Sequence, residues 1–210
     1  RRGPQRSTLI RFDRVGDRRI HMHSLSGLLH ADHRVASLDY DAFLKATHVL
    51  TKDVAQLEKA FRIACFNILA HNRDDHAKNV SFLMDDAGRW LLAPAYDLTF
   101  SFGPGGEQTM TVMGEGKEPV VQHLRALGEK PALRNTGIII DQVQSAVSRW
   151  HIYAEESGVT AKSAKMIAAR IAPAKKAAAA KPAAKKAVKA KTTAKKVAKK
   201  ATAAKKPRAA

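Results

Sequence analysis

From Ala172 to Ala210 the chain uses only alanine, lysine, proline, threonine, arginine and two valines, in loose Ala-Lys-Lys units. Almost nothing in such a segment can be buried, so it cannot offset the entropy of ordering a chain and is expected to be disordered. Any core must therefore be built from residues 1–171, which sets the expected division into a folded body, 1–171, and a tail, 172–210. The same break accounts for the charge. Residues 161–210 hold 17 of the 37 lysines and arginines and no acidic side chain, so the net charge of +18 belongs to this end, and residues 1–160 carry 20 basic against 19 acidic groups. A cationic segment without aromatics favours phosphate polymers by charge rather than by base stacking, which makes DNA the expected partner of the tail. The plainer reading is a solubilising appendage.

Composition excludes several other classes. The single cysteine, Cys65, rules out an internal disulfide framework and fits a reducing compartment. No apolar run reaches membrane-spanning length and no charged-then-apolar leader opens the chain, so a cytoplasmic protein is expected, with nucleoid association through the tail as a variant. The chain begins at Arg1 without a methionine, which suggests a fragment or an incomplete gene model.

Within the body, Val54, Leu57, Phe61, Ala64, Cys65 and Ile68 recur at helical spacing, predicting a helix from Lys52 to about His71 with Thr51 as its N-cap. A shorter helix is expected over Asp41–Thr47. The long helix runs directly into Asn72-Arg73-Asp74-Asp75-His76-Ala77-Lys78-Asn79. Two short strands follow, Val80–Met84 and Trp90–Leu92, joined through Asp85-Asp86-Ala87-Gly88. Such a hairpin would return the chain so that Asp97, in Pro94-Ala95-Tyr96-Asp97-Leu98, lies beside Asn79.

Asp74 and Asn79 stand five apart, the separation between proton acceptor and metal-binding amide in the protein-kinase catalytic loop. Asp97 falls where a second metal carboxylate is needed, and magnesium requires such hard oxygen ligands. Asp75, next to Asp74, remains an alternative base or supporting carboxylate, and a solvated polar turn is the plain alternative. His71 and His76 with the aspartates match no recognised transition-metal set, nor do His21, His23, His30 and His33.

Elsewhere, Thr8–Asp13 reads as a strand that turns at Val15-Gly16-Asp17 into Arg19–His23, followed by a short helix and turn over Ser24–His33. Phe100–Pro119, rich in glycine, methionine and threonine, reads as a mobile loop. Its Gly114-Glu115-Gly116-Lys117 is no phosphate-binding loop, because Thr111 and Glu118 stand where glycine and a hydroxyl are required. Helices are expected over Val120–Leu127, over Ile138–Tyr153 and, capped by Thr160, to about Ile171.

The Asn72–Leu83 stretch, taken with Leu92-Ala93-Pro94-Ala95-Tyr96-Asp97-Leu98, resembles the catalytic and metal-binding segments of HipA-type serine/threonine kinases, the toxins of bacterial toxin–antitoxin pairs. The resemblance runs from about Leu9 to Ile171, and the tail resembles that of linker histones. It implies a mainly α fold with small β-hairpins, the C-terminal lobe of a protein-kinase-like enzyme, using ATP and magnesium to phosphorylate a protein hydroxyl. It also implies roles: Asp74 as proton acceptor; Asn79 and Asp97 as magnesium ligands; His76, Ala77, Lys78 and Asn79 at nucleotide phosphate and metal. Tyr96 would flank Asp97 at the nucleotide, while Arg11 to Arg14 would lie at the hinge between lobes and Ile10, Arg11 and Phe12 would line the adenine site. The implied partners are a protein substrate, a HipB-like antitoxin and an N-terminal lobe supplied in trans, since barely a dozen residues precede the hinge. The isolated chain is therefore expected to be inactive, and the alternative function is a catalytically inactive kinase-lobe scaffold with a DNA-binding tail.

Duplex DNA affinity should travel with residues 172–210. Titrations at several salt concentrations, with and without that segment, should show affinity lost on truncation and a slope of about −0.9 in log affinity against log salt for each phosphate neutralised. Equal affinity for both chains, or insensitivity to salt, would remove DNA from the partners.

Overall fold

In the computed structural model the described residues are 11–31, 38–130 and 133–171, all within a compact unit spanning Arg1–Ala179. The expectations for Ile10, for the strand from Thr8, for His33 and for the tail from Ala172 lie outside them. The described chain is mainly helical with two small sheets. Strands β1 (Arg14–Val15) and β2 (Arg18–Arg19) form a minimal hairpin; β3 (His21–Ser24) leads into α1 (Leu25–Leu28), α2 (Tyr40–Thr51) and α3 (Val54–Leu69). After a 3₁₀ turn at Ala77–Asn79 come β4 (Ser81–Met84) and β5 (Trp90–Leu92), then α4 (Val121–Glu129), α5 (Thr136–Ser148), α6 (Trp150–Glu156) and α7 (Ala161–Ile171).

Helix α3 is the central rod, packed against α2, α4, α5 and β5. Its expected stripe is buried at Leu57, Phe61, Ala64, Cys65 and Ile68, whereas Val54, at the first turn, is 47% exposed. Thr51 does not cap this helix. It is the last residue of α2, and its hydroxyl donates back to the Thr47 carbonyl (2.8 Å). The caps are aspartates: Asp39 accepts from the Asp41 amide and Asp53 from the Ala55 amide, both at 2.8 Å, while Lys52 at φ +51° terminates α2. Helix α2 thus begins one residue before the Asp41–Thr47 expected and runs four residues past it, to the left-handed Lys52.

The expected hairpin of β4 and β5 forms in antiparallel register, Phe82 opposite Leu92. The N-terminal hairpin is shorter than expected. Arg11–Asp13 are not strand; pairing is confined to Arg14–Val15 with Arg18–Arg19 around Gly16 at φ +59°, and His21–Ser24 instead pairs with β4 to make a three-stranded sheet. The expected helix Ile138–Tyr153 starts earlier, at Thr136, and breaks at Arg149 (φ −87°, ψ 15°). The break turns Trp150 toward α7, where its indole N–H donates to the Ala164 carbonyl (3.1 Å).

Gly128 lies inside α4, which runs two residues past the expected Leu127, and it sets the spacing between helices. A Cβ there would stand 2.6 Å from Thr136 Cγ2 and 3.1 Å from Phe61 Cζ, whereas one on Gly137 of α5 would meet nothing within 4 Å. Gly128→Ala should therefore destabilise by about 1–2 kcal/mol, overpacking outweighing the helix preference of alanine, while Gly137→Ala should stabilise by roughly 0.5–1 kcal/mol. Denaturant unfolding of both variants checks the pair; a stabilised Gly128→Ala would contradict the packing described.

Candidate active site

Helix α3 ends at Ala70, and His71 follows in the left-handed region (φ +57°). That reversal starts a loop held against Phe100–Phe102: the Ser101 amide donates to the His71 carbonyl (3.1 Å) and the Arg73 amide to the Ser101 carbonyl (3.3 Å). Successive side chains then alternate. Asn72 and Asp74 line one cleft, and His71 and Arg73 line a different cavity.

A buried polar chain fixes the loop from beneath. Asn72 donates to Asn67 Oδ1 (3.0 Å), Asn67 donates to the Tyr40 hydroxyl (2.9 Å), and Tyr40 donates to Asp75 Oδ2 (2.6 Å). The other Asp75 oxygen accepts the Thr109 amide at 2.7 Å and the Met110 amide at 3.3 Å. With its amide oriented to donate, Gln108 adds contacts at 3.3 Å to both carboxylate oxygens and one at 2.9 Å to the Asn72 carbonyl. Burial pushes the Asp75 carboxyl up to about 6 in spite of these donors, and the Tyr40 hydroxyl is likewise pushed up by burial and by the adjacent carboxylate. Asp75 therefore has neither the exposure nor a free lone pair with which to meet a substrate.

The same contacts overturn the expectation of a mobile loop at Phe100–Pro119. Gln108, Met110 and Val112 are buried, and Asp39 Oδ2 accepts both the Thr111 hydroxyl and the Gly114 amide at 2.8 Å. Two buried or half-buried carboxylates thus hold a segment whose own residues carry no regular pattern.

Asp74, in contrast, is half-exposed; it lines a cleft with His76, Asn79, Tyr96 and Asp97, which the buried Asp75 borders from beneath. Its Oδ1 lies 3.1 Å from His76 Nε2. Asn79 Nδ2 donates to Asp97 Oδ2 at 2.7 Å and lies 3.5 Å from the Asp74 carbonyl, so the three residues singled out from their spacing converge. Asp97 is held at φ +55°, a conformation uncommon outside glycine and concentrated at functional sites. Tyr96 is anchored by its hydroxyl, which donates to the Lys78 carbonyl (2.9 Å) and accepts from Ser81 Oγ (2.7 Å). Its ring lies 5.6 Å from that of Phe12, bringing two residues 84 positions apart to one aromatic wall. Arg11 is paired with Asp13 in a forked contact (Nε to Oδ1, 2.8 Å) and does not line the cleft. Ala77 packs in the core and the Lys78 side chain is exposed, and neither lines the cleft.

Among the described residues lining the cleft there is no lysine or arginine, and its enclosed volume of about 20 Å³ holds roughly one ion or water. Two carboxylates and an amide in such a setting suit a hard divalent cation. No group of three or more His, Cys, Asp or Glu among the described residues could hold a metal ion. Sequence patterns had no means of finding Tyr40, Asn67 and Gln108, which join Asp75 from other parts of the chain.

Residues 4–150 match the family model described as HipA-like C-terminal domain. The fold is similar to a chain in the solved complex of the Shewanella oneidensis MR-1 toxin–antitoxin system HipA, HipB and its operator DNA, with TM-score 0.60 and 18% identity. That match covers 77% of this chain and 45% of the Shewanella chain, so this chain spans less than half of its length. No curated protein sequence matches. No helix among the described residues is long and apolar enough to cross a membrane.

The neighbouring aspartates should separate in their effects on stability. Asp75→Ala strands several buried donors and should lower unfolding free energy by about 3 kcal/mol or more, whereas Asp74→Ala should change it by less than about 0.5 kcal/mol. The folded Asp75 carboxyl titrates at about 6 against an ordinary 3.8, so the folded state holds the extra proton between these values. Its contribution is fullest below the lower value and is lost as pH rises through the upper one. The stability advantage of wild type over Asp75→Asn should accordingly shrink from pH 4.5 to pH 7, as read by thermal unfolding.

Proposed function

The chain belongs to the HipA-like C-terminal domain family, and on that premise we propose that it is the C-terminal lobe of a serine/threonine protein kinase. The observation that carries this reading is the convergence of Asp74, Asn79 and Asp97 in a cleft without cationic side chains. Asp74 accepts the proton of the substrate hydroxyl, whose oxygen forms its bond to the γ-phosphorus of ATP as the bridging bond breaks and ADP departs. Asn79 and Asp97 are the residues that would hold magnesium, which supplies neutralisation of the phosphate charge. Their present hydrogen bond keeps the two side chains together, and the left-handed backbone at Asp97 aims its carboxylate back at the loop.

His76 restrains the Asp74 carboxylate through Oδ1. Tyr96 and Phe12 form the apolar side of the nucleotide site. The pinned segment Phe100–Pro119 lies where a substrate-positioning segment is needed, and its attachment to Asp75 ties substrate placement to the loop carrying the base. The other side of the phosphates belongs to an N-terminal lobe, on the same polypeptide or in trans. By analogy with the Shewanella complex, a HipB-like antitoxin and DNA are proposed partners, the latter also through the basic tail.

In the two-lobe kinase, Asp74→Asn should lower phosphoryl transfer to protein by about 10²–10⁴-fold with nucleotide binding retained. Asp97→Asn should instead weaken magnesium-dependent nucleotide binding. Radiolabel transfer and calorimetric titration separate the two. Unaltered transfer in both variants would overturn the assignments, and absence of transfer in the wild-type two-lobe protein would favour a scaffold.

A further inference from the structure

Behind the catalytic loop lies a second cavity, of about 280 Å³, between the end of α3, the segment Glu118–Val121 and the last turn of α7. It shares no lining residue with the Asp74 cleft. Its lining includes apolar Ile68, Leu69, Val121 and Ile171 together with His71, Arg73 and Arg170. Arg73 is 8% exposed, yet its Nε has no hydrogen-bond partner among the described residues, and neither has His71 Nε2. Buried donors without partners are costly and uncommon, and here two of them border the same roomy cavity.

The protein itself satisfies this site only in part. One Arg73 terminal nitrogen donates to the Lys117 carbonyl (2.8 Å), and a loose ion pair reaches Glu118 Oε1 at 3.5 Å, with the glutamate side chain 87% exposed. Arg170 lies over the Phe102 ring, 5.5 Å from its centre. The positive field outweighs Glu118: burial first, then Arg73 and Arg170, push the His71 imidazole down to about 4, so it stays neutral and can donate from Nε2.

We propose that this cavity binds a small amphipathic anion, a carboxylate or phosphate head on an apolar body, with the head at Arg73, His71 and Arg170 and the body against the apolar side chains. Glu118 then acts as a weak internal competitor that the ligand's head displaces. Because Arg73 and His71 alternate with Asn72 and Asp74 along one loop, occupancy would be felt directly behind the proposed base.

The test is a calorimetric or NMR titration of the 210-residue chain with hexanoate and phenyl phosphate, using uncharged hexanol as control. Saturable binding of at least one anion is expected, stronger than that of hexanol. Two exposed-residue variants that should leave folding intact then move affinity in opposite directions: Arg170→Gln weakens it and Glu118→Gln tightens it, each by roughly 3-fold or more, as expected for a charge near a partly buried site. No saturable anion binding, hexanol binding as tightly as the anions, or indifference to both variants would overturn the proposal.

Discussion

The architecture depends on one buried carboxylate. Asp75 gathers the Tyr40 hydroxyl from α2, two backbone amides from the segment after Phe102, and the Gln108 amide, while Asn67 on α3 holds the Tyr40 hydroxyl from the other side. Removing a carboxylate from water is unfavourable unless its lone pairs are met, and convergence of several donors is what makes the arrangement tenable. The consequence is geometric. Two helices, the loop after α3 and a long irregular segment are drawn to one point, so the residue just before Asp75 is presented to the cleft by rigid surroundings.

This division of labour between adjacent aspartates follows from burial: both border the cleft, but the Asp75 carboxylate is buried and engaged by its donors. With Asp75 inside, Asp74 faces the cleft beside Asn79 and Asp97, and Arg73 faces the cavity behind. The β4–β5 hairpin then sets the second half of the site by returning the chain across the 18 residues from Asn79 to Asp97. Local strain is concentrated at the two ends of this unit: His71 where α3 reverses, and Asp97 where the carboxylate is aimed back.

Much of this was legible because it is local or periodic. The α3 stripe, the hairpin and the pairing of Asn79 with Asp97 follow from spacing that a helix and a two-stranded turn convert into position. The boundaries were less legible where one cap competes with another: Thr51 looked like an N-cap, but Asp53 two residues later outbid it and the threonine hydroxyl turned back to Thr47. The Asp75 network was invisible, since its members lie 27–35 positions apart and share no repeat. For the same reason Phe100–Pro119 read as mobile: its order comes from Asp39 and Asp75, not from any pattern of its own.

The central claim is that Asn79 and Asp97 form a divalent-cation site beside Asp74. Paramagnetic broadening on adding Mn²⁺ with ADP to the isotope-labelled chain tests it directly. The account predicts that amide signals of Asn79, Asp97 and their neighbours disappear first, while those near Asp39 and Glu118 persist. Broadening centred on another part of the molecule, or none at Asn79 and Asp97, would contradict it.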